Sequence, residues 1–318
     1  MKCSACGAAH ATIFQRHTGR VLCWNCFVDD LVQRIKRELE LHNLIDPGDR
    51  ILLAVSGGKD SIALMELLTH VVSPSKLHAV TIVEGVPGYY RQSEIALCKK
   101  VARSLGIDYT VLTLKEVIGF SIEELIQRYR QKLETGTVEK ISPCTICGVA
   151  RRRAINIYAR EHGFTKVATA HTLDDEVHTY IANFLRGDLM RLAQSHPKSA
   201  VHSSKIIKRI KPLRKVYDYE IAIYAFKKGY PLQQQECPLI TSIPSLRSRI
   251  RDRVIELEWL YPGTFMRLVE WIDKAIEPLV EKLNRSQIEL PYCEICGEPT
   301  SPGRRICRFC EILEQLKR

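Results

Sequence analysis

Eight of the twelve cysteines of this chain stand in two paired CxxC sets, one towards each end. Cys3, Cys6, Cys23 and Cys26 make the first, with 16 residues between the pairs. Cys293, Cys296, Cys307 and Cys310 make the second, with 10. Each CxxC turn presents two sulfurs at the bite that a tetrahedral metal ion needs, and two such turns close the site. A small zinc ribbon is therefore expected over residues 1–30 and another over 289–318. The opening residues, MKCSACGAAH, do not read as a signal peptide, and no apolar run approaches the ~20 residues of a membrane span. A cytoplasmic chain with reduced thiols is expected, which favours metal over disulfides.

Three of the remaining cysteines form a different pattern. Ser142-Pro143-Cys144-Thr145-Ile146-Cys147-Gly148 holds a single CxxC, and the next cysteine is Cys237, in Glu236-Cys237-Pro238. Three thiolates make a poor closed zinc site and a natural open one. A cubane iron–sulfur cluster held by three thiolates leaves one iron free for an outside ligand. A low-pKa thiolate of Cys144 or Cys147 attacking sulfur as half of a persulfide pair is a second reading. Three buried cysteines without chemistry are a third, and the residues alone leave all three open. Cys98, inside SEIALCKKVARSL, reads as a small core residue.

Between the ribbons the pattern alternates. Strands are expected at Arg50–Ser56, Leu77–Val83, Tyr109–Leu114, Lys166–Ala170 and Ile206–Pro212. Helices are expected at Asp60–Val72, Arg91–Leu105, Ser121–Glu134, Ala150–His162 and Asp174–Arg186. Such alternation implies an α/β fold, a doubly wound parallel sheet with helices on both faces, whose ligands bind beyond the carboxyl ends of the strands. After Asp218 the chain reads as mostly helical through Leu283. The expected division is 31–217 for the catalytic α/β domain and 218–288 for a helical extension carrying Cys237. Hydrophobic and charged fractions of 45% and 26% exclude disorder, collagen and coiled coil.

Ser56-Gly57-Gly58-Lys59-Asp60-Ser61 lies between the first of these strands and its helix. It does not satisfy the Walker A spacing, yet the physics is similar. Two glycines let backbone approach a ligand, successive N–H groups form an anion nest, and the helix start adds positive partial charge. Ser56 and Ser61 can donate hydroxyl hydrogen bonds, and Lys59 brings a point charge. A tight Gly-Gly turn before a helix is the plain structural alternative.

SGGKDS after an LLAV strand resembles the PP-loop of ATP pyrophosphatases, which cleave ATP between its α and β phosphates. Joined to flanking CxxC modules, a central CxxC and a lone later cysteine, it resembles the tRNA 2-thiouridine synthetases of the TtuA/NcsA branch, close to the TtcA thiolases. The likeness runs in order through His171–Glu176 (HTLDDE), Asn183–Asp188 (NFLRGD), Pro212-Leu213-Arg214 and Glu236-Cys237-Pro238, and covers nearly the whole chain.

The resemblance implies an enzyme that adenylates the C2 oxygen of a tRNA uridine and lets sulfur displace AMP, giving 2-thiouridine or 5-methyl-2-thiouridine. It implies that Ser56 through Ser61 cradle the phosphates, and that Ala54, Val83 and Ala170 lie against the adenosine. Cys144, Cys147 and Cys237 match the family's 4Fe-4S ligands, whose open iron would hold the sulfur. Asp174 or Asp175 would serve as proton acceptor or magnesium ligand, Asp175 being favoured by its spacing from the CxxC, with helix N-capping as the role left to the other. Some members carry a lysine where this chain has Arg151. Arginine clamps phosphate but does not readily give up a proton, so Arg151 is assigned to the α-phosphate. The implied cofactors are ATP, magnesium, the cluster and two zinc ions. The implied sulfur donor is either sulfide or a thiocarboxylated ubiquitin-like protein, and homodimers are common in the family.

Charge agrees with an RNA partner. The formal net charge is +11, and eight thiolates on two zinc ions would still leave it at +7. Lys198–Lys215 carries seven cations and no acid, Arg247, Arg249, Arg251 and Arg253 stack at helical spacing, and the C-terminal ribbon adds Arg304, Arg305 and Arg308. Three other readings compete. One is a zinc-ribbon RNA-binding protein without catalysis, one a synthetase acting on a small molecule, and one a TtcA-like cytidine thiolase.

Overall fold

The computed structural model describes all residues except 9, 87–88, 90–91, 135–140, 201–202, 231–236, 240–245, 287–288 and 318. Arg91 and Glu236, named above, lie outside the described residues. A hairpin of β1 (Ile13–Gln15) and β2 (Arg20–Leu22) leads into α1 (Trp24–Leu41). Then follow β3 (Ile51–Ala54), α2 (Lys59–Leu68), β4 (Leu77–Val83), α3 (Gln92–Ser104), β5 (Asp108–Thr113), α4 (Leu114–Ile118) and α5 (Ile122–Glu134). The second half holds α6 (Pro143–Glu161), β6 (Lys166–Thr169), α7 (Leu173–Leu185), α8 (Leu189–Ser195) and β7 (Lys208–Ile210). It ends with α9 (Asp218–Lys227), α10 (Leu246–Leu260), α11 (Thr264–Ser286) and α12 (Arg308–Lys317).

β3 to β7 pair in parallel in the order β5-β4-β3-β6-β7, with Leu53 opposite both Ala79 and Ala168. The chain winds outward from β3 to β5, then returns to the other side of β3 for β6 and β7. The order therefore reverses between β3 and β6, and a crevice opens there at the carboxyl ends. Strand side chains alternate in face, and the core follows. Ile51 and Leu53 enter one buried cluster with α1, α2 and α3, while Leu52 enters a second with α5 and α6. A third cluster joins α7, α8 and α11.

The terminal cysteine sets dock on opposite faces. Cys3 belongs to the Leu53 cluster, whereas Cys293, Cys307 and Cys310 belong to the Leu52 cluster. The second CxxC of the N-terminal set opens α1, with Cys23 at the N-cap.

One boundary differs from expectation and matters for the site. α6 begins at Pro143, seven residues before the expected start at Ala150. Ser142 caps it by accepting from the Thr145 N–H, and Pro143 occupies the first turn, where its missing N–H costs nothing. Cys144 and Cys147 therefore sit in the first turns of a helix rather than on a free hairpin.

Candidate active site and metal centres

Ser56–Ser61 occupies the crevice at the reversal point, between the ends of β3 and β6. Gly57 has φ +87°, and a Cβ there would lie 2.5 Å from the Cβ of Glu94 on α3, so glycine is required on both counts. Ser61 is buried, and its hydroxyl accepts from the Ser56 and Gly57 N–H groups at 3.2 Å while donating to the Gly58 carbonyl at 2.9 Å. Its part is to hold the loop in shape. Behind the loop, Thr81 donates to the Val55 carbonyl at 2.8 Å. Ala54, Val83 and Ala170 end or follow three adjacent strands, β3, β4 and β6.

Lys59 makes ion pairs with Asp60 (2.7 Å) and Asp218 (2.5 Å). Burial works against its charge, but the two carboxylates win and raise its pKa. Asp218, the first residue of α9, also donates its backbone N–H to Asp174 at 2.8 Å. It belongs to the site although no local motif marks it; only the return of the chain after β7 brings it there.

The two aspartates of α7 divide their roles. Asp175 accepts from the Thr172 N–H at 3.2 Å, closing a capping box, and pairs with Arg247 at 2.5 Å. Asp174 is pushed by burial up to about 7, with the charges of Asp218 and Asp175 acting in the same direction. Helix capping, the role left to one of the pair, falls to Asp175. Spacing favoured Asp175 for chemistry; in the structure Asp175 is held by the cap and by Arg247, while Asp174 accepts from the Asp218 N–H.

The central cysteines gather loosely beyond the end of β4. Cys144 and Cys147 each sense the charge of Cys237, and the Cys144 thiol lies 4.0 Å from the Leu239 carbonyl. Arg151, one turn after Cys147 on α6, pairs at 3.2 Å with Glu84, a buried carboxylate just beyond β4. Burial pushes Cys147 up to about 11 and raises Cys144. These three sulfurs do not form the tight group seen at the chain ends. A cluster of four irons spreads its thiolates wider than a single ion does.

Each terminal set does form a tight group, its four sulfurs lying within 4.8 Å of one another. Thiolates about 2.3 Å from a tetrahedral ion stand roughly 3.8 Å apart. Cys6 and Cys23 are 3.9 Å apart, and Cys296 and Cys307 are 3.7 Å apart. Backbone N–H groups of Cys23, Cys6 and Ala5 hold the Cys3 thiol down to about 6, while hydrogen bonds with the Cys23 and Cys6 sulfurs raise Cys26.

The basic run Lys198–Lys215, expected to face RNA, is largely answered by partners within the fold. Arg214 is 1% exposed and bonds Glu38, Asp273 and Tyr180, with Glu176 at 3.4 Å. Lys211 pairs with Glu176, Lys198 with Glu277, and Lys205 donates to the Gly297 carbonyl. The acids come from α1, α7 and α11, elements far away in sequence, so the run reads as bare only along the chain. In the C-terminal ribbon Arg304 and Arg308 share Glu311, and Arg305 pairs with Glu294.

A parallel sheet with a glycine-rich anion loop at its reversal point defines a nucleotide-binding protein of the PP-loop class, and a family model described as PP-loop domain matches residues 31–258. The tRNA 2-thiolation protein NcsA of Haloferax volcanii is 30% identical, the match covering 100% of this chain and 99% of the relative. The tRNA-5-methyluridine(54) 2-sulfurtransferase of Thermus thermophilus is 30% identical over 100% of this chain and 92% of its own. A solved structure, the U34-tRNA thiolase NcsA from Methanococcus maripaludis with its 4Fe-4S cluster, superposes with a TM-score of 0.77 at 28% identity, covering 99% of this chain and 96% of that one. The chain belongs to the PP-loop tRNA 2-thiolation proteins of the NcsA/TtuA branch.

Proposed function

We propose that this chain is an ATP-dependent tRNA sulfurtransferase that converts a tRNA uridine to 2-thiouridine or 5-methyl-2-thiouridine. The observation that carries the reading is the nearness of Cys144, Cys147 and Cys237 to one another and to the Arg151–Glu84 pair beyond the end of β4, the strand beside the one that leads into the SGGKDS loop. A three-thiolate set beside an ATP loop suits sulfur transfer and has no task in a small-molecule amide synthetase. The relatives named above act on tRNA at C2 of uridine, which favours uridine over the cytidine of a TtcA-like enzyme.

In this reading the C2 oxygen attacks the α-phosphorus of ATP, pyrophosphate leaves into the loop, and sulfur then attacks C2 as AMP leaves. The backbone of Ser56–Lys59 receives the phosphates, and Lys59, released from Asp60 and Asp218, offsets their charge. Arg151 turns from Glu84 to the α-phosphate. Asp174 takes the proton lost as the pyrimidine carbonyl is activated, its raised pKa suiting a base near neutral pH. Cys144, Cys147 and Cys237 would hold a 4Fe-4S cluster, which when bound supplies an open iron, a soft site for a sulfur ligand. The terminal sets would hold one zinc each, as closed tetrahedral structural sites. Magnesium would travel with ATP, keeping phosphate oxygens and water as its main ligands.

We assign the parts as ribbon 1–30, catalytic domain 31–217, helical extension 218–288 and ribbon 289–318. The sulfur comes from sulfide or from a thiocarboxylated ubiquitin-like protein. No described helix is long and apolar enough to cross a membrane, and relatives from Aspergillus niger and Bos taurus are named cytoplasmic, which supports a cytoplasmic place. The test is anaerobic reconstitution with ATP, tRNA and sulfide. Pyrophosphate release that depends on tRNA, with thiolated uridine in the digested product, is expected. Equal tRNA binding with and without ATP, and no AMP formed, would instead make it a non-catalytic RNA-binding protein. Nucleoside mass spectrometry of tRNA from a deletion strain identifies the wobble or the T-loop position.

A further inference from the structure

A cleft of about 680 Å³ opens among β7, α8, the end of α11 and the C-terminal ribbon, with Val149 and Arg152 of α6 on its wall. Among the described residues that line it there are seven cations and no acid. Four of the seven are answered from outside the cleft. Lys211 and Arg214 meet Glu176, and Arg304 and Arg308 share Glu311. The other three, Arg152, Lys208 and Arg209, have no carboxylate at salt-bridge distance among the described residues. Asp46 and Asp49 attract Lys208 only at longer range and bridge to Lys166 instead.

Arg152 and Arg209 keep solvent-exposed surface, yet protein surrounds both closely enough for burial to lower their pKa values. Arg209 falls to about 10, with the neighbouring charge of Arg152 adding to the effect. Arg152 and Arg209, close enough to feel each other's charge and without a carboxylate partner, make a strong attractor for anions, and Lys208, next to Arg209 on β7, adds a third cation from the strand's other face. Arg152 comes from α6 and the other two from β7, and the cleft that they line is far larger than one phosphate. Val149, Val280 and Leu283 add an apolar surface on which a sugar or base can rest. Charge that is spread over several positions, interleaved with apolar lining, suits a nucleic-acid strand better than a free ion.

We propose that this cleft seats the sugar–phosphate backbone of the substrate tRNA, with Arg152, Lys208 and Arg209 neutralising consecutive phosphates. The proposal rests on the tRNA reading above and adds the surface that receives the RNA. It also gives the C-terminal ribbon a task, since Pro299, Arg304 and Cys307 form one wall. α6 then joins the RNA surface to the reaction site, with Arg152 following directly on Arg151.

The test compares full-length holoprotein with an R152Q/K208Q/R209Q variant, using a labelled unmodified tRNA transcript over a range of salt. The expected result is at least tenfold weaker binding at 0.1 M salt, and a slope of log affinity against log salt shallower by about two to three. KM for tRNA rises while kcat holds. A K99Q/K100Q variant on exposed positions of α3 loses two charges elsewhere and is expected to bind as the parent does. Arg209→Lys, which keeps the charge, recovers more affinity than Arg209→Gln and guards against a mere folding defect. Parent-like affinity and salt slope in the triple variant overturn the proposal, as does loss of binding to pyrophosphate alone with tRNA affinity unchanged. Should the parent protein itself fail to bind tRNA, the tRNA reading falls rather than the assignment of the cleft alone.

Discussion

Arg153 donates from Nη1 to the Sγ of Cys296 at 3.3 Å, with Cys307 at 3.9 Å and its guanidinium 4.8 Å from the Phe309 ring. The helix that carries Cys144 and Cys147 is thus bonded to the sulfurs of the C-terminal four-cysteine set. Arg160, two turns further on, grips Glu298 of the same module with both terminal nitrogens. α6 serves as the trunk from which reaction site, cleft and ribbon all branch.

Arg153→Met is expected to keep the apolar stem and lose the donor. Outer-shell partners of metal ligands are worth roughly 10- to 100-fold in affinity. Metal at the C-terminal site should therefore yield to a competing chelator at correspondingly lower concentration, while the N-terminal site is unchanged. Arg153→Lys should recover part of the difference. Equal retention in all three proteins would show that the contact carries no weight.

Asp174→Asn should lower kcat about 10²- to 10⁴-fold, the range for a lost general base. Asp175→Asn should act mainly through α7 and Arg247, on stability and by a smaller factor. The parent rate should fall as pH drops through about 7, the value to which Asp174 is raised. Stability carries the opposite sign. Between the ordinary value of 3.8 and about 7 the folded state keeps a proton that the unfolded state has lost, so stability declines as pH rises through that window. Asp174→Asn removes the decline, and at pH 8 it should melt a few degrees higher than the parent, with the gain vanishing near pH 4.

Cys237→Ala separates the two readings of the central cysteines. It leaves Cys144 and Cys147 in place, so a persulfide pair would keep working. A cluster held by three thiolates should lose its brown colour and its thiolation together, while ATP binding persists. Anaerobic reconstitution followed by absorbance and nucleoside analysis decides it. Colourless parent protein, with full activity in the variant, would remove the cluster.

Arg214→Met should be costly without touching the site. It leaves Glu38, Glu176 and Asp273 buried, with Lys211 and Lys215 as their remaining cations. Breaking such a buried group by removing one partner typically costs about 3–5 kcal/mol. A lower denaturant midpoint at unchanged slope is expected. A small change would mean that the two lysines suffice.

Local rules made much of this protein legible from its residues. CxxC spacing announces both tetrahedral sites because a turn of fixed length sets the distance between two sulfurs. Alternating apolar runs announce the parallel sheet, and SGGKDS announces an anion loop, because backbone freedom and helix starts are properties of neighbouring residues. Even the early start of α6 was signalled, by Ser142-Pro143. Relations between distant residues had no such local sign. Asp218 beside Lys59, Glu84 beside Arg151, and Arg247 on Asp175 depend on where the chain returns after long excursions. The same holds for charge. Lys198–Lys215 looks like a bare basic surface in sequence, yet folding supplies its acids from α1, α7 and α11 and leaves Lys208 and Arg209 unanswered. Composition counts charges, but Coulomb energy and desolvation depend on distance and burial, and only the tertiary structure sets those.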